Sequence, residues 1–378
     1  MKLLIVVNVD WFFCSHRLPV AIAAHNAGYE VHIATTFTKS SYFDHLSEYG
    51  FKLHRLNIDR SGKNIVSYFD TALRLSALFI ALKPDIIHLV TIQPVLIGGF
   101  LARIFKSPSV VFAISGLGHS FVGNSLFSRL RRLIVLICYR EALKVKSRAV
   151  LFQNPDDKIK LSRICSLSNT ETYLLAGSGV DLSRFAYNPM PDLASPVIVM
   201  ASRLLYTKGV REYVHAADIL HKRGVRALFK LIGSPDITNP ASVQLNDLTE
   251  WRKCDFIDIV DHSDKIEEIF SAAHIVCLPS YYPEGLPKVL CEAAACGRAV
   301  ITSDEPGCRD AIENGLTGLL IPSRNSVALA DALEYLLSRP KKIIEMGLLG
   351  RKRAEEYFDI NAIVLSHLQV YSSLLSSN

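Results

Sequence analysis

Short apolar runs rich in β-branched residues alternate with longer stretches whose apolar residues recur every three or four positions. In the first half the short runs are Leu3–Asn8, Glu30–Thr35, Ile86–Val90, Val110–Ser115 and Ala149–Gln153. Leu18–Ala27, Tyr68–Leu82 and Pro94–Phe105 lie between them with helical spacing. The second half repeats the alternation. Strands are expected at Pro196–Ala201, Ala227–Ile232, Phe256–Val260, Ile275–Pro279 and Ala299–Thr302. Helices are expected at Val210–Arg223, Lys265–Ala273 and Pro287–Cys296. Many strands are almost continuously apolar, as strands of a parallel sheet covered on both faces are. The pattern predicts an α/β chain with two Rossmann-like, doubly wound domains facing a cleft.

Asn188-Pro189-Met190-Pro191-Asp192 is dense in turn formers and places a linker within 178–195. The expected division is 1–180, 181–355 and a C-terminal helix at 356–378 that returns to the first domain. The helical pattern of that tail runs from Ile343 to Leu375. The 378 residues, 49% of them apolar, suffice for two cores. Eight scattered cysteines form no CxxC pair and read as buried free thiols of a reducing compartment. The first residues are too short in apolar content for a signal peptide. No run approaches the roughly 18–20 apolar residues of a membrane span. These features predict a cytoplasmic chain.

The net charge of +6 is mild and gives no ground for a nucleic-acid partner. Its distribution is uneven. Residues 126–148 carry seven Lys/Arg against one Glu, interleaved with Leu, Ile, Phe and Tyr. Such a segment can lie in the interface of an anionic membrane, or can be an amphipathic core helix with a solvated basic face.

Five groups of residues are candidates for chemistry. Glu284 sits in a Gly/Pro loop after a strand, with Gly285 and Leu286 beside it, and Pro287 suits a first helical turn. Glu292 follows on the second turn, so two carboxylates can address two parts of one extended ligand while free helix amides favour an anion. Arg203 and Lys208, between a strand and a helix, can clamp a diphosphate. In Gly177-Ser178-Gly179 the glycines let backbone amides approach a ligand. His119 follows a first-domain strand and can bond a sugar hydroxyl. His16 and Arg17 are expected in a turn after the first strand, where they can contact an acceptor phosphate.

These pieces, in this order, resemble the retaining glycosyltransferases of family 4, which have the GT-B fold. Glu284 and Glu292 meet the family's Glu-x7-Glu spacing. Arg203, Lys208 and Gly209 meet its Arg…Lys-Gly element, and Ser178-Gly179-Val180-Asp181 stands for its Asn-Gly-Val-Asp. The resemblance implies that Arg203 and Lys208 hold the donor diphosphate and offset the leaving group's charge. It implies further that Glu284 contacts sugar hydroxyls, Glu292 the ribose, and His119 the sugar. Gly285, Leu286 and Pro287 supply backbone near the sugar and phosphates. The chain departs from many relatives after the first strand, where Asp10-Trp11-Phe12-Phe13-Cys14-Ser15-His16 replaces a Gly-Gly loop. That departure leaves an acceptor role for the segment.

From Ser280 to Asp310 the sequence is similar to bacterial enzymes that add N-acetylhexosamine to a sugar on polyprenyl diphosphate. This similarity implies a UDP-sugar donor such as UDP-GalNAc and a lipid-linked acceptor in surface glycan assembly. It also implies peripheral contact with the cytoplasmic face of the inner membrane. No Asp-x-Asp is present, and neither a metal nor another cofactor is expected. Two alternatives stay open: a hexosyltransferase of this fold with another donor and acceptor, and a sugar-nucleotide 2-epimerase. A dinucleotide-dependent oxidoreductase is disfavoured because no GxGxxG follows Leu3–Asn8. A non-catalytic scaffold would have no use for the Arg203, Lys208, Glu284 and Glu292 set.

Overall fold

The computed structural model describes residues 1–59, 64–118, 121, 125–236 and 239–376. Residue contacts divide the chain into two compact units: Met1–Ser178 together with the segment from Asn361 onward, and Gly179–Ile360.

Among the described residues of the first unit, seven strands form one sheet. They are β1 (Lys2–Val6), β2 (Glu30–Thr35), β3 (Lys52–Arg55), β4 (Ile86–Val90), β5 (Ser109–Ile114), β6 (Arg148–Phe152) and β7 (Thr172–Leu174). Their order is β3-β2-β1-β4-β5-β6-β7, and β1 pairs in parallel with β2 and β4 through Leu3–Val31 and Leu3–Ile86. Alternate residues serve opposite faces. Leu4, Val6, Ile87, Leu89, Val110 and Phe112 enter one core, and Leu3, Ile5, Ile86, Val90, Val111 and Ala113 the other. Both cores are buried, which explains the continuous apolar runs.

Among the described residues, seven α-helices precede the second unit: α1 (Asp10–His16), α2 (Leu18–Asn26), α3 (Ser40–Ser47), α4 (Ile65–Leu82), α5 (Ile92–Ile104), α6 (Leu126–Ala142) and α7 (Pro155–Cys165). Helices α4 to α7 cover one face through residues such as Phe79, Ala102, Tyr139 and Leu161. Asn154 caps α7 by accepting from the Asp157 amide at 2.8 Å, with Pro155 at the first position. Helix α5 begins at Ile92, two residues before the expected Pro94, because a proline in the first turn removes no intrahelical bond. The expected turn around His16 is instead the end of α1. The Asp10 carboxylate, buried at that helix's first turn, accepts from the Trp11 and Thr38 amides and fixes the start.

In the second unit the described residues form a six-stranded sheet: β8 (Val197–Ala201), β9 (Leu228–Ile232), β10 (Ile257–Val260), β11 (Ile275–Leu278), β12 (Ala299–Ser303) and β13 (Gly318–Ile321). The order is β10-β9-β8-β11-β12-β13. Its helices are α8 (Val210–Lys222), α9 (Leu245–Trp251), α10 (Ile266–Ser271), α11 (Lys288–Ala295), α12 (Ser326–Leu337) and α13 (Pro340–Arg353). Arg298 is fully buried here with no carboxylate partner among the described residues. Its guanidinium instead donates to the carbonyls of Cys296, Ala273 and Asn188, tying the Pro-rich segment to the sheet. Burial lowers its pKa.

The helical tail is not continuous. After α13 a π turn spans Ala354–Phe358, and the chain then pairs with Val180 before α14 (Ile360–Ser376) begins. The Val180 amide donates to the Phe358 carbonyl at 2.7 Å, and the Ile360 amide to the Val180 carbonyl at 3.0 Å. Helix α14 packs Val370, Tyr371 and Leu374 into the first unit's core. The Tyr371 hydroxyl meets Nδ1 of buried His88 at 2.6 Å. His367 on α14 is also buried and donates Nδ1–H to the Ile363 carbonyl.

All eight cysteines are free, and five are buried. Among the described residues, no helix is long and apolar enough to cross a membrane. Segment 126–148 is helical over α6, yet only Tyr139 and Ala142 of that helix are buried, and most of its Leu and Ile side chains lie exposed. Arg129 and Arg140 are solvated as an amphipathic helix requires, but the apolar face is not packed as that of a core helix would be.

His367 generates a pH prediction. Burial lowers its pKa from 6.5 to about 3, so below pH 6.5 the unfolded chain binds a proton that the folded chain refuses. Stability is therefore full above pH 6.5 and falls as pH drops toward 3. The loss at pH 5 is expected to be about 2 kcal/mol. Denaturant unfolding followed by Trp11 fluorescence, with Trp251→Phe as background, should show this loss, and His367→Leu should shrink it.

Candidate active site

The second unit's sheet reverses its winding between β8 and β11, because β9 and β10 lie on one side of that pair and β12 and β13 on the other. The loops leaving two such strands diverge and open a crevice at their carboxyl ends. Most of the predicted chemistry sits at this point.

After β8 the chain passes Ser202 and Arg203 and makes a 3-10 turn over Tyr206–Lys208. Gly209 then caps α8. Gly209 has φ +83°, and a Cβ there would fall 2.2 Å from the Pro279 carbonyl oxygen. Only glycine lets this turn close against the end of β11. The Tyr281 amide donates to the Thr207 carbonyl at 3.0 Å and completes the join.

The join brings Lys208 to Glu284. Nζ donates to Oε1 at 2.5 Å, and both side chains are largely buried. Ser280 Oγ donates to the same carboxylate oxygen at 2.9 Å. The Ser280 backbone carbonyl in turn accepts from Ser303 Oγ at the end of β12. Arg203 pairs with Asp236 at 3.1 Å. Sequence reading assigned Lys208 and Glu284 to different parts of a ligand; the structure places them in one ion pair.

Glu284, Gly285 and Leu286 form the loop leading to α11. Pro287 is the cap residue rather than a first-turn residue, with its ψ of 113° still extended. Gly307 lies against this loop. Its φ is +83°, and a Cβ would stand 2.3 Å from the Gly285 carbonyl oxygen. Glu292 lies on the second turn of α11, near Lys288 Nζ at 3.5 Å. Burial raises the Glu292 pKa, with Lys288 opposing. Nearby Cys308 is buried, which pushes its thiol up to about 12 and keeps it protonated.

Ser178 and Gly179 lie where the chain passes from the first unit to the second. Ser178 Oγ is buried with no partner among the described residues. Gly179 has φ +79°, and its Cβ would stand 2.7 Å from Ile360 Cα. This close approach is a packing reason for the glycine.

In the first unit, His16 stacks on Phe12 with centroids 4.1 Å apart, and its Nδ1 meets Ser15 Oγ at 2.6 Å. Arg17 is buried, donates Nη1 to the His16 carbonyl, and leaves Nε without a partner among the described residues. Burial lowers its pKa to about 10. It lines a cavity of about 10 Å³, room for one water, with Ile114, Gln153, Gly177 and His367. His119 lies outside the described residues. Among those described, no group of three or more His, Cys, Asp or Glu is placed to hold a metal ion.

The sequence reading missed Asp236, Ser280, Ser303 and Arg298. Asp236 follows the Gly233-Ser234-Pro235 turn closely enough to have been suspected; the serines carry no local signal.

Two family models match the chain, one within each unit. The one described as Glycosyl transferase 4-like covers residues 2–154, and the one described as Glycosyl transferases group 1 covers 190–353. The chain belongs to the family 4-like, group 1 glycosyltransferases. A related member is the N,N'-diacetylbacillosaminyl-diphospho-undecaprenol alpha-1,3-N-acetylgalactosaminyltransferase of Campylobacter jejuni. It is 24% identical over 373 residues, 96% of each chain. Two solved structures share the GT-B fold. Sucrose-phosphate synthase from Thermosynechococcus elongatus has a TM-score of 0.81 at 21% identity and covers 100% of both chains. Anabaena Alr3699/HepE, solved with UDP and glucose, has a TM-score of 0.77 at 16% identity and covers 99% of this chain and 100% of its own. In this glycosyltransferase the group 1 match spans Arg203, Lys208, Glu284 and Glu292.

Lys208→Met strands a largely buried carboxylate and should destabilise the second unit by about 1–3 kcal/mol. Adding Glu284→Gln should recover part of that loss, giving a coupling of about 1 kcal/mol or more. Denaturant unfolding followed by Trp251 fluorescence, with Trp11→Phe as background, measures both.

Proposed function

We propose that this glycosyltransferase moves a sugar, with retention of anomeric configuration, from a UDP-sugar to a sugar carried on polyprenyl diphosphate. The transferred sugar is an N-acetylhexosamine such as GalNAc. The observation that carries the reading is the Lys208–Glu284 pair beside Arg203, at the strand ends where the sheet reverses. The Campylobacter jejuni relative, named for an N-acetylgalactosaminyl transfer onto a diphospho-undecaprenol-linked sugar, supports the substrate class. The complex of Anabaena Alr3699/HepE with UDP and glucose supports the nucleotide.

In the free protein Glu284 holds Lys208 in place. When the donor arrives, its diphosphate takes over Lys208 and engages Arg203, while Glu284 turns to sugar hydroxyls. Both cations then offset the negative charge that grows on UDP as its bond to the anomeric carbon breaks. The acceptor hydroxyl attacks from the same face, and its proton passes to the departing phosphate oxygen. Glu284 forms no covalent bond. The raised pKa of Glu292 suits hydrogen bonding to the ribose hydroxyls. Gly285, Leu286 and Pro287 present backbone at the start of α11, where free amides favour phosphate. Ser178 and Gly179 add backbone and hydroxyl contacts, and His119 contacts the sugar.

His16 and Arg17 are assigned to the acceptor's phosphate. The assignment requires Arg17, a buried guanidinium whose Nε lacks a partner among the described residues, to open beyond its one-water cavity when the acceptor binds. A buried cation of this kind favours an anion beside it. The site of action is the cytoplasmic face of the inner membrane, where a lipid-linked acceptor is presented.

Lys208→Ala and Glu284→Ala are each expected to cut transfer at least about a hundredfold, measured with UDP-sugars and a polyprenyl-diphosphate-linked acceptor. Rates like wild type in both would contradict the assignment. Consumption of donor at full rate without acceptor would instead favour a 2-epimerase.

A further inference from the structure

Three neighbouring helices of the first unit carry large apolar side chains on their outer surfaces. On α4, Val66, Phe69, Leu73 and Ile80 are exposed, with Phe69 at 68% and Leu73 at 71%. At 100° per residue these four span only about 60° of arc. On α6, Leu126, Phe127, Leu130, Leu133, Ile134 and Ile137 are exposed, Phe127 at 86%. They fall within about 120°. Between these two helices, α5 exposes Phe100 and Ile104, one turn apart. All three helices bury their opposite sides in the same core, so the exposed stripes share one outward direction. A contiguous apolar surface of this kind on a folded unit marks a docking face.

Charge selects the partner. From residue 65 to 148 there are eleven Lys/Arg against three Asp/Glu, an excess larger than that of the whole chain. Arg129 and Arg140 are exposed along one border of the α6 stripe, and exposed Lys144 and Lys146 follow the helix. Apolar side chains bordered by basic ones suit an anionic lipid surface, with the former in the acyl boundary and the latter at the headgroups. A second copy of this chain would bring like charges together.

We propose that α4, α5 and α6 form one platform that inserts into an anionic phospholipid bilayer. The inference rests on the lipid-linked acceptor reading only for the purpose of docking. Its extent is wider than the basic segment at 126–148, because α4 and α5 contribute apolar contact and little charge. Insertion, rather than adsorption by charge alone, is the expected mode.

Flotation of the full chain with acceptor-free vesicles tests this. Binding is expected to vesicles containing phosphatidylglycerol and not to phosphatidylcholine alone. Part of it should survive about 1 M salt, where surface charge is screened. Phe69→Ser with Leu73→Ser, and separately Leu126→Ser with Phe127→Ser, should each weaken partitioning at least about tenfold. Thermal unfolding of both variants should match wild type, since these side chains are exposed. Four results would overturn the platform: no binding to phosphatidylglycerol vesicles, complete loss in salt, wild-type binding by the α4 variant, or a dimer in sedimentation that the substitutions dissolve. Transfer to a short-chain, water-dispersed acceptor should proceed at the wild-type rate in both variants. Its absence from wild type, with vesicle binding intact, would strike the proposed reaction and leave the platform standing.

Discussion

The Lys208–Glu284 ion pair joins segments 76 residues apart and fixes the geometry of everything around it. It forms because two backbone constraints place its partners. Gly209 lets the turn after β8 close on Pro279, and Gly307 lets a second loop lie on the carbonyls of Glu284 and Gly285. A pair buried this far from water has costs in desolvation that its Coulomb attraction only partly offsets. Its position beside the carboxyl ends of β8 and β11 makes better sense as preorganisation than as stabilisation. In the proposed reaction this lysine and carboxylate would be a diphosphate contact and a hydroxyl acceptor positioned in advance.

The first unit is organised by a different constraint. Helix α14, last in sequence, completes a core built from the first strands, and it brings His367 and Tyr371 against Arg17 and His88. These groups are buried, and burial disfavours the charged form of each. On the unit's other face, α4 to α6 leave apolar stripes uncovered. One sheet thus supports a closed polar cluster on one side and an open apolar surface on the other.

Much of the fold was legible because both sheets are parallel and buried on both faces. Continuous apolar runs marked β1, β4, β5, β8 and β11 clearly. The edge strands β3 and β7 escaped because Lys52–Arg55 is half polar and Thr172–Leu174 is three residues long. Helix α1 escaped because its start depends on Thr38, 28 residues away, bonding to Asp10. At the site, Arg203, Lys208, Glu284 and Glu292 were legible from residue type and spacing. The pairing of Lys208 with Glu284 was not, since it depends on strand adjacency that no local pattern encodes. Ser280 and Ser303 are invisible in sequence for the same reason. Arg298 carries no local signal for its role as a buried anchor held by carbonyls.

On donor binding, the Lys208–Glu284 pair is expected to exchange its partners for a diphosphate and a sugar. A structure of the protein with a bound UDP-sugar tests this most directly. Lys208 Nζ is expected within about 3 Å of a diphosphate oxygen, with Glu284 released to the sugar hydroxyls. A diphosphate bound elsewhere, with Lys208 still on Glu284, would contradict it.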